Sequence, residues 1–191
     1  KAAQATGTTV YQNEKASVDA SNLTEGYLIV RYTGGKNVKI KVQITKKGGT
    51  TYTYNLNNAG KAETFPLTEG DGTYTVRVFE NISGTKYAQA YSCSVELKLR
   101  NEFLPFLYSN QYVNFTAESK AVKKGAELMK DAKDDLDAVR RVYNYVIATL
   151  KYDYELAATV KSGYLPDIDA VLAAKKGICF DYAALMSAML R

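Results

Sequence analysis

From about Ala16 to Arg100, apolar and polar residues alternate with a period of two, the pattern of strands that bury one face and wet the other. Val38, Ile40, Val42 and Ile44 interleave with Lys39, Lys41, Gln43 and Thr45. Tyr52, Tyr54 and Leu56 continue the pattern, followed by Tyr74, Val76 and Val78, and then by Tyr91, Cys93, Val95, Leu97 and Leu99. Turn signals at Gly34-Gly35, Gly48-Gly49, Gly70-Asp71-Gly72 and Ser83-Gly84 separate the runs, placing residues that tolerate positive φ where the chain must reverse. This spacing predicts an antiparallel β-sandwich of immunoglobulin-like or fibronectin-like type over residues 1–100 and leaves the strand order open.

Residues 101–116 read as an aromatic connector carrying Phe103, Phe106, Tyr108, Tyr112 and Phe115. Its aromatics are expected to be buried where two domains meet rather than to form a ligand platform. Beyond it the period becomes 3.6. Thr116 is the expected N-cap of a helix carrying Ala121, Val122, Gly125, Leu128 and Met129. A second helix presents Leu136, Val139, Tyr143, Val146, Ile147 and Leu150 on one face, behind an acidic first turn of Asp134, Asp135 and Asp137 that suits the helix dipole. Pro166-Asp167 opens a shorter helix through about Lys175, with Gly177 expected to close it. The stripe Tyr182, Leu185, Met186, Met189 and Leu190 defines a last helix from Cys179. Arg191 falls in that helix before any capping residue, so a longer parent protein is expected. Residues 117–191 therefore form a helical second domain, and the chain as a whole is α+β.

Charge changes this picture little. Residues 1–100 hold 13 Lys/Arg against 8 Asp/Glu, and residues 101–191 hold 12 against 12, so the whole net charge of +5 lies in the first domain. There the lysines alternate with apolar residues, and no dense basic run tracks a phosphate backbone, which argues against nucleic acid and for a solvated sheet face. No apolar stretch approaches the roughly 20 residues of a membrane span. Asn22, Asn81 and Asn114 begin Asn-x-Ser/Thr tripeptides, which matter only in a eukaryotic secretory pathway. Two cysteines, Cys93 and Cys179, are too few for a disulfide scaffold and lack metal-ligand spacing, so no metal and no cofactor is expected. Cys93 lies on the apolar face of a strand and reads as core.

Cys179 is different. It stands at the first turn of an apolar helix, two residues after Gly177. There the unsatisfied N–H groups and the positive end of the helix dipole favour thiolate over thiol and can receive an oxyanion. The stretch Gly177-Ile178-Cys179-Phe180-Asp181-Tyr182-Ala183, with Leu190-Arg191 behind it, resembles the nucleophile motif of the transglutaminase-like superfamily, a papain-like cysteine fold. Val139 to Tyr154, ending Leu150-Lys151-Tyr152-Asp153-Tyr154, is similar to the family's preceding helix and its exit. Pro166-Asp167 with Val171-Leu172 and Lys176-Gly177 is similar to the short helix leading into the nucleophile. The resemblance covers about residues 134–191. It implies Cys179 as catalytic nucleophile on a protein or peptide substrate, attacking a glutamine carboxamide or a peptide carbonyl to form a thioester that passes to an amine or to water.

A histidine base and an Asp or Asn partner normally follow the nucleophile in that family, and this sequence has no histidine. The expectation is therefore the nucleophile-containing half of a bacterial, secreted or surface-attached acyltransferase or peptidase, catalytically incomplete within these residues. The alternative is a non-catalytic surface binding or structural module that keeps the fold. A third reading is a sandwich adhesin or carbohydrate-binding module with a helical spacer. The residues around Cys179 also have plainer roles: Asp181 as a cap, Tyr182 as packing, Lys175 and Lys176 as helix-closing lysines. An uncovered stripe on the last helix would be covered by a second copy of the chain.

Overall fold

A computed structural model describes residues 1–191, which divide into two compact units: Ala3–Tyr108, and Ser109–Arg191 together with Lys1–Ala2. The first unit is a two-sheet antiparallel sandwich. One sheet is ordered β1 (Val10–Gln12), β2 (Ala16–Asp19), β3 (Tyr27–Tyr32) and β6 (Glu63–Pro66). The other is ordered β5 (Thr51–Leu56), β4 (Ile40–Lys46), β7 (Gly72–Ser83) and β8 (Lys86–Leu97). The chain passes from the first sheet to the second after β3, returns for β6 and crosses again into β7, the alternation of an immunoglobulin-like or fibronectin-like sandwich.

Alternation places the core. Ile40, Val42 and Ile44 of β4 and Tyr74, Val76 and Val78 of β7 are all nearly inaccessible and meet Val18, Leu28, Val30 and Phe65 of the opposite sheet. Cys93 is half-buried against this core, and burial pushes its thiol up to about 11. β3 departs from alternation because both of its faces are covered. Tyr27 and Ile29, on the side away from the sandwich core, pack with Leu104 and Tyr108, and the Tyr27 and Tyr108 rings lie 4.6 Å apart.

The aromatic connector thus divides. Leu104 and Tyr108 belong to the sandwich unit, whereas Val113 and Phe115 are buried in the core of the second.

The second unit holds α1 (Lys120–Met129), α2 (Asp135–Thr149), α3 (Tyr154–Thr159), α4 (Ile168–Ala174) and α5 (Cys179–Leu190), with a short parallel bridge between β9 (Lys151–Tyr152) and β10 (Lys176–Gly177). α5 is the central element, packed by α1, α2 and α4. Its Ala184, Leu185, Ala188 and Met189 are at most 2% exposed. Gly125 lets α1 approach it closely, since a Cβ there would lie 2.4 Å from the Met189 carbonyl oxygen.

Three expectations are corrected. Thr116 does not cap α1: the helix begins after Ser119, and its first N–H groups, those of Lys120 and Ala121, donate to the Asp169 carboxylate of α4 at 3.0 and 2.9 Å. α2 turns Val142, Val146 and Leu150 inward and leaves Leu136, Val139, Tyr143 and Ile147 exposed, Leu136 at 77%. α4 is closed by Lys175 at φ 55, not by Gly177, which sits in β10. In α5, Leu185 and Met189 are buried, and Tyr182, Met186 and Leu190 pack against the same core.

Candidate functional site

Two anchors hold the turn before α5. On one side, the β9–β10 bridge sets Gly177 opposite Tyr152, and the Asp153 N–H donates to the Gly177 carbonyl at 2.9 Å. On the other, Asp181 points back under the turn. It is fully buried, and its carboxylate accepts the Ile178 N–H at 2.8 Å and the Tyr164 hydroxyl at 2.7 Å. Gly177 is required by this arrangement, because a Cβ at that position would come within 2.6 Å of the Asp181 Cβ. Asp181 therefore caps the start of α5 from within its first turn, reaching back to the N-cap residue Ile178.

Cys179 is the first residue of α5 and is exposed. With the Ile178 N–H taken by Asp181, the remaining first-turn N–H groups, those of Cys179, Phe180 and Asp181, have no intrahelical acceptor. An exposed thiol and a set of helix-terminal donors thus share one turn, the two local parts that acyl transfer needs. No group of three His, Cys, Asp or Glu side chains converges there or elsewhere in the chain.

Aromatic rings surround the turn. Phe180 meets Tyr112 and Tyr164 edge-on, with centroids 5.9 and 6.5 Å away. Tyr152 and Tyr154 form a second edge-on pair at 4.9 Å, with Tyr154 79% exposed. Burial, then the hydrogen bond to the Asp181 carboxylate, pushes Tyr164 up to about 12. Tyr164 is thus a neutral donor across the physiological range.

The lysines beside the cysteine have structural work. Lys175 supplies the left-handed residue that ends α4. Lys176 pairs with Asp153 at 3.0 Å, and Asp153 also caps α3 by accepting the Leu156 N–H at 3.0 Å. That backbone bond first, and the Lys176 contact second, hold the Asp153 carboxyl below the usual range. Tyr182 is half-buried against the helical core, as packing requires. The residues that sequence reasoning missed are Tyr164 and Asp153. Tyr164 lies in a loop 17 residues from its carboxylate and carries no local signal, whereas Asp153, two residues before Glu155 at a helix start, carries an N-cap signal that could have been used.

Residues 123–191 match the model of the transglutaminase-like superfamily. The transglutaminase-like segment thus takes in α2 to α5, the β9–β10 bridge and most of α1. Over 189 aligned positions the chain is 24% identical to a UPF0252 protein of Methanocaldococcus jannaschii, covering 92% of this chain and 53% of that protein. The chain therefore spans about half the length of this curated relative. Among solved structures, the solution structure of the fn3 domain of human collagen alpha-1(XX) chain is similar at a TM-score of 0.37 and 16% identity, covering 51% of this chain and 92% of that one.

Proposed function

We propose that this chain is the nucleophile-bearing part of an extracytoplasmic transglutaminase-like acyltransferase or peptidase, with Cys179 as its nucleophile. The observation that carries the reading is the exposed Cys179 at the first turn of α5, held by Gly177 and the buried Asp181. The Cys179 sulfur attacks the carbonyl carbon of a glutamine carboxamide or peptide bond, and the first-turn N–H groups receive the oxygen as it becomes an oxyanion. The C–N bond then breaks. Nitrogen leaves as ammonia or an amine carrying the thiol's proton, and the acyl group remains as a thioester. Water or an acceptor amine attacks that thioester and returns the thiol.

Proton transfer needs a base, and these 191 residues contain no histidine. In this reading the base and its orienting partner come from the parent protein beyond them. The same absence favours the second reading, a surface binding or structural module that keeps the fold without the chemistry.

Iodoacetamide labelling followed by peptide mass spectrometry tests the site in this chain. Cys179 is expected to react at least tenfold faster than the half-buried Cys93. In the parent protein, ammonia or amine release from a glutamine-containing or amide-bonded peptide is expected to fall at least a thousandfold in Cys179→Ala. A parent protein whose acyl-transfer and hydrolytic activities survive that substitution overturns the catalytic reading. A parent protein without either activity leaves the binding-module reading in its place.

A further inference from the structure

The outer face of the β5-β4-β7-β8 sheet carries a group of side chains that the sandwich core does not explain. Along β4 and β7 the residues pointing away from the core include Lys41 and Gln43, and Arg77 and Phe79, with threonines toward the other end of the face. Lys41 lies opposite Phe79 in the register, and Gln43 lies opposite Arg77.

On β8 the pattern is interrupted. Ser92 pairs with Arg77 and Tyr91 with Val78, but Phe79 pairs with Gln89, so Ala90 is bulged out of the ladder. Simple alternation from Ser94 and Ser92 would place Ala90 and Ala88 on the outer face. The bulge changes the parity and places Gln89 and Tyr87 there instead. Re-aiming side chains is what bulges beside binding sites do.

The consequence is visible in the contacts. Lys41 Nζ lies over the Tyr87 ring, 5.6 Å from its centroid, a cation held on a π face. Lys41, Gln43, Phe79 and Tyr87 together line a surface cavity of about 210 Å³.

Lys15 and Lys36 are committed to Glu80, but Lys39, Lys41 and Arg77 take part in none of the chain's ion pairs. The one carboxylate on this face, Glu96, is at its far end, accepting the Thr73 hydroxyl at 2.8 Å. The cavity end of the face is therefore cationic, with amide groups and an aromatic ring between the charges.

We propose that this face binds an acidic polysaccharide, with Lys41 and Arg77 pairing with uronate carboxylates while Phe79 seats the C–H face of a sugar ring and Gln43 and Gln89 hydrogen-bond its hydroxyls. The charge complementarity selects an anion. The composition of the face selects a sugar, because its few cations are separated by amide and aromatic groups and form no dense basic stripe of the kind that tracks a phosphate backbone. The aromatic and amide groups match the apolar and hydroxyl faces of a pyranose instead.

Affinity electrophoresis of the whole chain in gels containing polygalacturonate tests this, with dextran as the neutral polymer and single-stranded DNA as a second polyanion. Polygalacturonate is expected to retard the protein and dextran is not. Lys41→Gln and Phe79→Ala are each expected to weaken that binding about tenfold or more, whereas Lys47→Gln, in an exposed turn outside the face, leaves it unchanged. Far-UV circular dichroism confirms that each variant is folded. Absence of retardation, an equal loss in Lys47→Gln, or DNA binding as tight as that of polygalacturonate would overturn the assignment.

Discussion

Asp181 should be the single residue whose loss most disturbs the Cys179 turn. Its side chain is fully buried and accepts two hydrogen bonds, from the Ile178 N–H at 2.8 Å and from the Tyr164 hydroxyl at 2.7 Å. Hydrogen bonds to a charged group are worth about 1.5–3 kcal/mol each. The partners differ in what they can recover. Ile178 is only 7% exposed, so its N–H is left without water, whereas Tyr164 is half-buried and its hydroxyl can turn toward solvent. Asp181→Ala should therefore cost the helical unit about 3–5 kcal/mol, and Asp181→Asn about 2 kcal/mol, because the amide keeps an acceptor for one donor while turning an NH₂ toward the other. For a unit of this size each kcal/mol lowers Tm by about 4–8 °C. Urea unfolding followed with hydrogen exchange at the Ile178 amide separates this unit from the sandwich. Protection at Ile178 is expected to fall in both variants and iodoacetamide labelling of Cys179 to change with it. A stability change below about 1 kcal/mol in Asp181→Ala, with Ile178 protection intact, would refute the view that this carboxylate holds the turn.

Glu80 gives the sandwich a pH dependence. Its carboxyl is held below the usual range, first by the Tyr32 hydroxyl at 2.7 Å, against the opposing effect of its own burial, and then by Lys36 at 2.9 Å. A lowered folded-state value means that its contribution is complete above the unfolded value near 4.5 and is lost as pH falls through the lower folded value; acid titration of sandwich stability should show this loss below about pH 4.5, and Glu80→Gln should remove it. Gly125→Ala pushes a methyl group into the Met189 backbone, so denaturant unfolding should show a loss of about 1–3 kcal/mol in the helical unit. On α2, Leu136→Gln should stay within about 0.5 kcal/mol of the parent while Val142→Ala costs about 1–3 kcal/mol, since the first is 77% exposed and the second is fully buried; equal effects in thermal melts would contradict the assigned faces.

What could be read from the sequence depended on how many surfaces each element covers. β4, β5, β7 and β8 announce themselves because one face is wet, so apolar and polar residues must alternate. β3 is harder to assign, because Leu104 and Tyr108 cover its second face and Tyr27-Leu28-Ile29-Val30 becomes a continuous apolar run. α2 is legible as a helix, but its orientation is not. Leu136, Val139, Tyr143 and Ile147 form one stripe at helical spacing, and Val142, Val146 and Leu150 form another. Periodicity offers both, and the packing of α5 and α1 against α2 selects the second. The start of α1 fails for a related reason: its N–H groups are satisfied by Asp169, 48 and 49 residues away, so the local rule that names Thr116 has no force. The Cys179 turn was readable because it is built from neighbours. Gly177 makes room for Asp181, Asp181 fixes Ile178, and Cys179 lies between them, all within five positions of the chain. Asp181 shows where such reading stops, since its second ligand, Tyr164, comes from a loop that the chain brings back only in three dimensions. The same limit hid the outer face of the sandwich. Lys41 alternates as any wet strand residue would, and its relation to Tyr87 exists only because one bulged alanine changes which side of β8 faces outward.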